Sequence, residues 1–262
     1  MTAIVRSALW IAFFAAILVA WVVMYLQSTG MGLDLLGRPG PAAEAMRNMN
    51  PGMDMAMPMA EFTPLWSMWA IMMAAMMLPT LVPTLRAYED LMASTGASLQ
   101  GLLGVLGGYS AVWAVAAGLI AALQLGLLHA GAIDMLGIAR SPYLAGLLLL
   151  AAGLFQFSRG KEICHGVCHS PALYFIARWR PGPVGGMTMG AGLGLYCAGC
   201  CWGFMALGFA GGVMNLAWMG LATLFMVIEK LPQVGRLVTR PLGVALVLSG
   251  LFVIGWASVT GG

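Results

Sequence analysis

The sequence predicts an all-α protein, a polytopic bundle of about seven transmembrane helices, and two observations support this. Of its 262 residues, 61% are hydrophobic and only 8% are charged, whereas a soluble domain carries about 25% charged residues. Apolar segments near the length of about 20 residues that crosses a bilayer also recur along the chain. The small net charge of +3 gives no support for a nucleic-acid partner.

Seven segments are predicted to cross the bilayer as a single transmembrane domain, residues 1–262. In chain order they are 7–27, 65–85, 102–128, 142–158, 187–209, 212–229 and 239–258. The first is longer than a signal-peptide core of about 7–15 residues, so we expect it to be retained. If it is instead cleaved as a signal peptide, six spans remain.

The distribution of Lys and Arg predicts the orientation in the membrane, with the N-terminus on the cytoplasmic side and the C-terminus on the outer side. In this orientation the basic residues outside are Arg38, Arg47 and Arg140. Those inside are Arg6, Arg86, Arg159, Lys161, Arg178, Arg180, Lys230, Arg236 and Arg240. Residues 28–64 then form an extracytoplasmic loop, and residues 159–186 form a cytoplasmic loop.

Glycines in the third and fifth spans predict close packing of these two helices against neighbours, since membrane helices associate through small residues. The third span carries Gly101, Gly104, Gly107 and Gly108. The fifth carries Gly186, Gly190, Gly192 and Gly194.

Three cysteines in the fifth span form the sharpest candidate site. Cys197, Cys200 and Cys201 occupy positions i, i+3 and i+4, which share one face of a helix. Thiols on one face can converge on a soft metal, with copper(I) favoured and zinc possible, or on each other. A Cys197–Cys200 disulfide therefore stays open, as does simple packing of small apolar side chains.

A second group of soft ligands follows the fourth span. Cys164 and Cys168 are spaced i, i+4, and so are His165 and His169. In a helix the two pairs would lie on adjacent faces, about 100° apart. Straight helices would leave this group about 15 Å from the fifth-span thiols in depth. Two separate metal stations are therefore expected, unless residues 159–170 fold back.

Methionines add thioether ligands, which bind copper(I) without losing a proton. The extracytoplasmic loop carries Met46, Met49, Met53, Met55, Met57 and Met59, for which we expect weak metal capture. The second span carries one stripe of Met68, Met72 and Met76 and a neighbouring stripe of Met73 and Met77. These stripes are a candidate copper path, and ordinary packing is the alternative.

Other features argue against catalysis. The Lys161–Glu162 and Glu229–Lys230 pairs at inner helix ends are expected to be interfacial ion pairs. The sequence shows no nucleophile–base pair, phosphate-binding loop or paired carboxylates inside a span. We therefore expect no enzymatic activity and no pump driven by an ATPase domain of its own.

At these motifs the chain resembles a bacterial family of predicted metal-binding integral membrane proteins. The similarity rests on Trp69-Ala70-x-Met72-Met73-x-Ala75-Met76-Met77-x-Pro79, Lys161-x-x-Cys164-x-x-x-Cys168-x-x-Pro171, Gly194-x-Tyr196-Cys197-x-Gly199-Cys200-Cys201-Trp202-x-x-Met205, Met214-Asn215-Leu216 and Glu229-Lys230. It implies a polytopic inner-membrane protein with a metal role. His165 and His169 depart from the family pattern, and the Met-rich loop lies outside it.

The favoured function is binding, with movement or delivery, of copper(I) through Met and Cys ligands. The expected partners are the lipid bilayer, the metal ion and a copper enzyme or copper chaperone. Two alternatives remain: a membrane thiol–disulfide carrier, and an assembly factor that binds a static metal for a membrane metalloenzyme.

Overall fold

A computed structural model describes residues 3–40, 61–95, 98–231 and 233–260. The Met-rich run 46–59 lies outside these described residues. The described chain is helical, as predicted, and its helices are α1 (Ala3–Gly30), α2 (Phe62–Thr95), α3 (Leu99–His129), α4 (Pro142–Phe155), α5 (Arg159–His169), α6 (Pro171–Ala177), α7 (Gly182–Ala206), α8 (Gly208–Gly211), α9 (Leu216–Glu229) and α10 (Gly235–Thr260).

The predicted spans coincide with helices, but two of the helices are short. Five segments are long and apolar enough to cross a membrane: Ile4–Gly30, Phe62–Met92, Leu99–His129, Gly182–Gly211 and Leu237–Thr260. Helix α4 has 14 residues and is followed, after a 60° bend, by α5. Helix α9 also has 14 residues, about 21 Å against a hydrocarbon core of about 30 Å. The structure thus gives five spans, or six if α4 and α5 form one broken span.

Helices α3 and α7 run parallel, and glycines let their backbones meet. A Cβ atom on Gly108 would overlap the carbonyl oxygen of Met187, and one on Gly190 would overlap that of Val105. Gly186 meets Gly101 in the same way. The predicted close approach through small residues is therefore confirmed for these glycines. This packing fixes α7, which carries three cysteines, against the centre of the bundle.

Two loops with the same internal structure close one end of the bundle. They are residues 31–40, after α1, and residues 130–141, after α3. In each, an aspartate side chain (Asp34 or Asp134) accepts two backbone hydrogen bonds of 2.7–3.0 Å. Each also needs a glycine with positive φ, +70° at Gly37 and +74° at Gly137. The shared Asp-x-Leu-Gly sequence is a local repeat that our sequence analysis missed.

Both loops pack on residues 207–217, the connection between α7 and α9. The N–H of Ala139 donates to the carbonyl of Phe209 at 2.8 Å, and the N–H of Ala217 donates to that of Leu35 at 3.0 Å. We call this end, made of residues 31–40, 130–141 and 207–217, the cap end. Helix α1 ends there, so the N-terminus lies at the opposite end.

The C-terminus lies at the cap end. Helix α10 packs antiparallel to α4, because Gly146 meets Gly250 near the start of α4 and Gly153 meets Gly243 near its end. Helix α4 begins directly after the 130–141 loop, so the end of α10 is beside the cap. The two termini are therefore at opposite ends of the bundle, as an odd number of crossings requires.

Candidate metal centre

Three buried thiols converge on α7. The sulfur atoms of Cys197, Cys200 and Cys201 all lie within 4.8 Å of one another. The residues are 1%, 3% and 2% exposed. The Cys200 thiol also donates to the backbone carbonyl of Cys197 at 3.2 Å, and all five cysteines of the chain are free. The helical spacing of the three residues therefore brings their sulfurs together, as the sequence predicted.

A buried ammonium group lies against this thiol cluster. Lys230 Nζ is 2.9 Å from Cys197 Sγ and donates to Thr80 Oγ1 at 2.8 Å. The hydroxyl of Tyr109 lies 3.1 Å from the same sulfur. A buried negative charge needs such compensation, because the low-dielectric interior provides little solvation. The centre thus provides a counter-ion for an anionic thiolate.

The predicted interfacial ion pairs at residues 161–162 and 229–230 are wrong. Lys161, Glu229 and Lys230 are only 1%, 2% and 7% exposed. Lys161 Nζ binds Glu229 Oε2 at 2.8 Å, and Lys230 binds the thiol cluster instead of a carboxylate. The physical reason is the length of α9: it ends after 14 residues, so Glu229 and Lys230 lie inside the bundle.

Helix α5 folds back against α7, so the two cysteine groups are adjacent. Lys161 Nζ donates to the carbonyl of Cys200 at 3.1 Å, and the Cys168 thiol interacts with the Cys200 thiol. Cys164 Sγ lies 3.3 Å from the position that a Cβ atom on Gly199 would take. The separation of about 15 Å in depth between the two cysteine groups is therefore not observed. That expectation assumed straight helices, whereas the chain bends by 60° between α4 and α5.

The two histidines lie near Glu229. The rings of His165 and His169 lie one turn apart, tilted by 34° to each other, with centroids separated by 5.0 Å. His165 Nε2 is 3.9 Å from Glu229 Oε2, and His169 Nε2 makes a 2.7 Å hydrogen bond with the backbone carbonyl of Glu229. The other carboxylate oxygen, Glu229 Oε1, is buried without a hydrogen-bond partner. The histidines thus lie beside the buried ion pair of Lys161 and Glu229.

The two methionine stripes of α2 diverge. Met72 and Met76 line a cavity between α2, α7 and α9. Met73 and Met77 line a separate crevice beside Tyr109 and α3. Met68 is buried too, at 6% exposure, but it does not line either space.

Sequence reasoning missed Lys230, Tyr109 and Thr80 as neighbours of the thiols. A signal for Lys230 was present, because an ionisable residue beside an apolar segment is a functional candidate by default. No comparable signal existed for Tyr109 and Thr80. They are ordinary residues of α3 and α2, and only the tertiary packing brings them to Cys197 and Lys230.

The donor set fits a soft ion. Thiolates select copper(I) and zinc over hard cations such as magnesium. The three clustered thiols can hold such an ion, and the Cys168 thiol is a neighbour of Cys200. The site therefore offers a buried set of sulfur donors suited to a soft metal.

Comparison with known proteins agrees with this chemistry. The profile of a family described as PpoB2, copper chaperone, matches residues 66–253, well over half of the chain. The matched region includes the five cysteines and Lys230, and the resemblance to metal-binding membrane proteins is confirmed. No curated protein and no solved structure gave a significant match.

Proposed function

The chain belongs to the PpoB2 family of copper chaperones, and on this premise we propose that it holds copper(I) on Cys197, Cys200 and Cys201 and delivers it to a copper enzyme. The observation that carries the proposal is the approach of three buried sulfur atoms within 4.8 Å of one another. Cys164 and Cys168 lie beside these thiols, where they could receive the ion or complete its coordination.

Copper(I) suits this centre better than zinc. Structural zinc sites are almost always closed and tetrahedral, with four protein ligands. Here three thiols form the cluster, and thioethers, which soft copper(I) accepts, line the neighbouring cavity. Lys230 offsets part of the thiolate charge, as a monovalent ion would otherwise leave several negative charges buried. Zinc is the alternative occupant that an experiment must separate.

We place the protein in the bacterial inner membrane, with the cap end and the C-terminus in the periplasm. The support is the Lys and Arg distribution: without the buried Lys161 and Lys230, seven of the nine basic residues remain on one side, against three on the other. The Met-rich run 46–59 would then face the periplasm and collect copper there. The lipid bilayer would contact the large apolar side chains exposed on α1 and α10.

The role proposed is delivery without catalysis. The thiols are buried among hydrophobic residues. They contact Lys230 and Tyr109, and helix α5 with its two cysteines packs beside them. This setting suits an ion that is passed by exchange of sulfur ligands. Because Cys197, Cys200 and Cys201 are buried, we expect no enzymatic turnover at these thiols.

Metal content tests the binding step. After loading under reducing conditions and washing with a chelator that removes weakly held copper, we expect about one copper(I) per chain in the wild-type protein and none in a Cys197→Ser/Cys200→Ser/Cys201→Ser variant. Ala198→Ser on the same helix turn is the matched control, and it should keep its copper. A purified protein that takes up no copper but cycles between thiol and disulfide would overturn the proposal and favour the thiol carrier.

Reconstituted vesicles separate delivery from transport. A chaperone should exchange copper(I) with an acceptor on one side of the membrane only. Copper that accumulates inside vesicles in proportion to the amount of protein would show that the protein is a transporter instead. Empty vesicles and the triple serine variant provide the baselines.

A further inference from the structure

Four methionines from three helices line one small cavity. They are Met72 and Met76 on α2, Met205 on α7 and Met219 on α9, and Trp69 and Trp218 complete much of the wall. Each of these methionines is at most 4% exposed. The cavity has room for about one water-sized sphere. Met205 and Met219 were not among the ligands predicted from the sequence.

The lining chemistry fits a soft monovalent cation. Thioethers are neutral and polarisable, and they bind copper(I) without deprotonation. None of the described lining residues is charged, so a divalent ion would find no compensating anion there. Indole rings attract cations through their faces. The Trp69 ring is held in place because its Nε1–H donates to Gln124 Oε1 at 2.7 Å.

The cavity lies between the cap end and the thiol cluster. On one side it is bounded by Gly208 and Val213 of the 207–217 connection. On the other side, Met205 follows Cys201 by four residues, about 6 Å along the helix. Met76 precedes Thr80 by one turn, and Thr80 accepts the hydrogen bond of Lys230. The cavity methionines of α2 and α7 are therefore one or a few helical turns from residues of the thiol centre.

We propose that Met72, Met76, Met205 and Met219 form a second copper(I) site, a thioether station from which the ion passes to the thiol cluster. This inference rests on the proposed function, because it takes copper(I) as the cargo. A thioether site binds more weakly than a thiolate site, since its ligands carry no charge. Transfer therefore runs downhill from the cap end to Cys201.

A pair of matched double variants tests the station. Met205→Leu/Met219→Leu removes two cavity thioethers, and Met189→Leu/Met226→Leu removes one buried methionine outside the cavity from each of the same helices. Met-to-Leu changes are nearly isosteric and keep cores intact at a cost below about 1.5 kcal/mol. All these proteins keep the Met-rich run 46–59, so its contribution cancels in the comparison.

Copper(I) affinity would be measured by competition with a chromophoric chelator, in both the wild-type and the Cys197→Ser/Cys200→Ser/Cys201→Ser backgrounds. In the serine background we expect a remaining copper site that the cavity variant weakens at least about tenfold and the control variant leaves unchanged. Equal affinities in the two double variants would overturn the station. The proposed function would still stand if the wild-type protein bound copper at its thiols, and would fall if it bound none.

Discussion

At the scale of single residues, Lys230 has the greatest influence on the thiol cluster. Its ammonium group is 2.9 Å from Cys197 Sγ, and it is the charged side chain described closest to the three sulfurs. A hydrogen bond that involves a charged group is worth about 1.5–3 kcal/mol. The charge state and metal affinity of the cluster should therefore depend on this one residue.

Replacing Lys230 with glutamine should weaken copper(I) binding by about one to two orders of magnitude, the equivalent of one charge-assisted hydrogen bond. The Lys230→Gln side chain loses the charge and adds no sulfur ligand. Affinity is measured by chelator competition on folded protein in detergent. Thr80→Val is the control, because it removes a hydrogen-bond partner of Lys230 and keeps the charge. Wild-type affinity in Lys230→Gln would show that the ammonium group plays no part.

The sequence predicted the thiol residues better than their environment. The spacing of Cys197, Cys200 and Cys201 was sufficient, because helical geometry alone brings positions i, i+3 and i+4 together. The roles of Lys161 and Glu229 were not predictable in this way. Their burial depends on where the neighbouring helices end, which is a tertiary property, and each looked like an ordinary residue at a membrane interface.

At the scale of helices, the packing of α3 on α7 sets the position of the thiol cluster. Gly108 and Gly190 allow backbone contact between the two helices. A larger residue at either position would push α7 away from α3. Tyr109 would then move away from Cys197, and the alignment of the cluster with Lys230 would change.

Gly108→Ala should destabilise the protein by about 1–3 kcal/mol through overpacking. Gly107→Ala is the matched control on the same helix. Gly107 is exposed and a Cβ atom there meets nothing within 4 Å, so alanine should be neutral or stabilise the helix by up to about 1 kcal/mol. Thermal unfolding in detergent measures both. An equal loss of stability in both variants would contradict the close backbone contact between α3 and α7 at Gly108.

The 60° bend before α5 was the decisive element that the sequence did not reveal. Apolar composition identified α4, and the i, i+4 spacing suggested a helix at residues 159–169. The direction of α5 depends on the three residues Gln156–Ser158 and on contacts with α7, and neither leaves a pattern in the sequence. This single change of direction brings Cys164 and Cys168 beside the three thiols of α7.

At the scale of the whole molecule, the connectivity places the two termini at opposite ends of the bundle. Helices α4 and α9 are short, yet each carries the chain from the cap end towards the other end. The chain therefore passes along the bundle an odd number of times. Among the described residues, however, only five to six segments have the length of a full span. The hydrophobic pattern predicted the number of segments, and their lengths had to come from the structure.

Full-length fusions at each terminus test the proposed orientation. We expect alkaline phosphatase, which is active only in the periplasm, to work when attached after residue 262. Green fluorescent protein should fluoresce when attached before residue 1 and not after residue 262. The opposite pattern would place the cap end in the cytoplasm, and the Met-rich run 46–59 could not collect periplasmic copper.

X-ray absorption at the copper edge of the loaded wild-type protein tests the central claim, that the α7 thiols hold copper(I), most directly. The protein would be purified in detergent and loaded with one equivalent of copper under reducing conditions. We predict a copper(I) edge and a first shell of thiolate sulfur alone, which in Cys197→Ser/Cys200→Ser/Cys201→Ser gives way to the longer copper–sulfur distances of thioethers or to no bound copper. A first shell of nitrogen and oxygen, or an unchanged sulfur shell in that variant, would contradict the account.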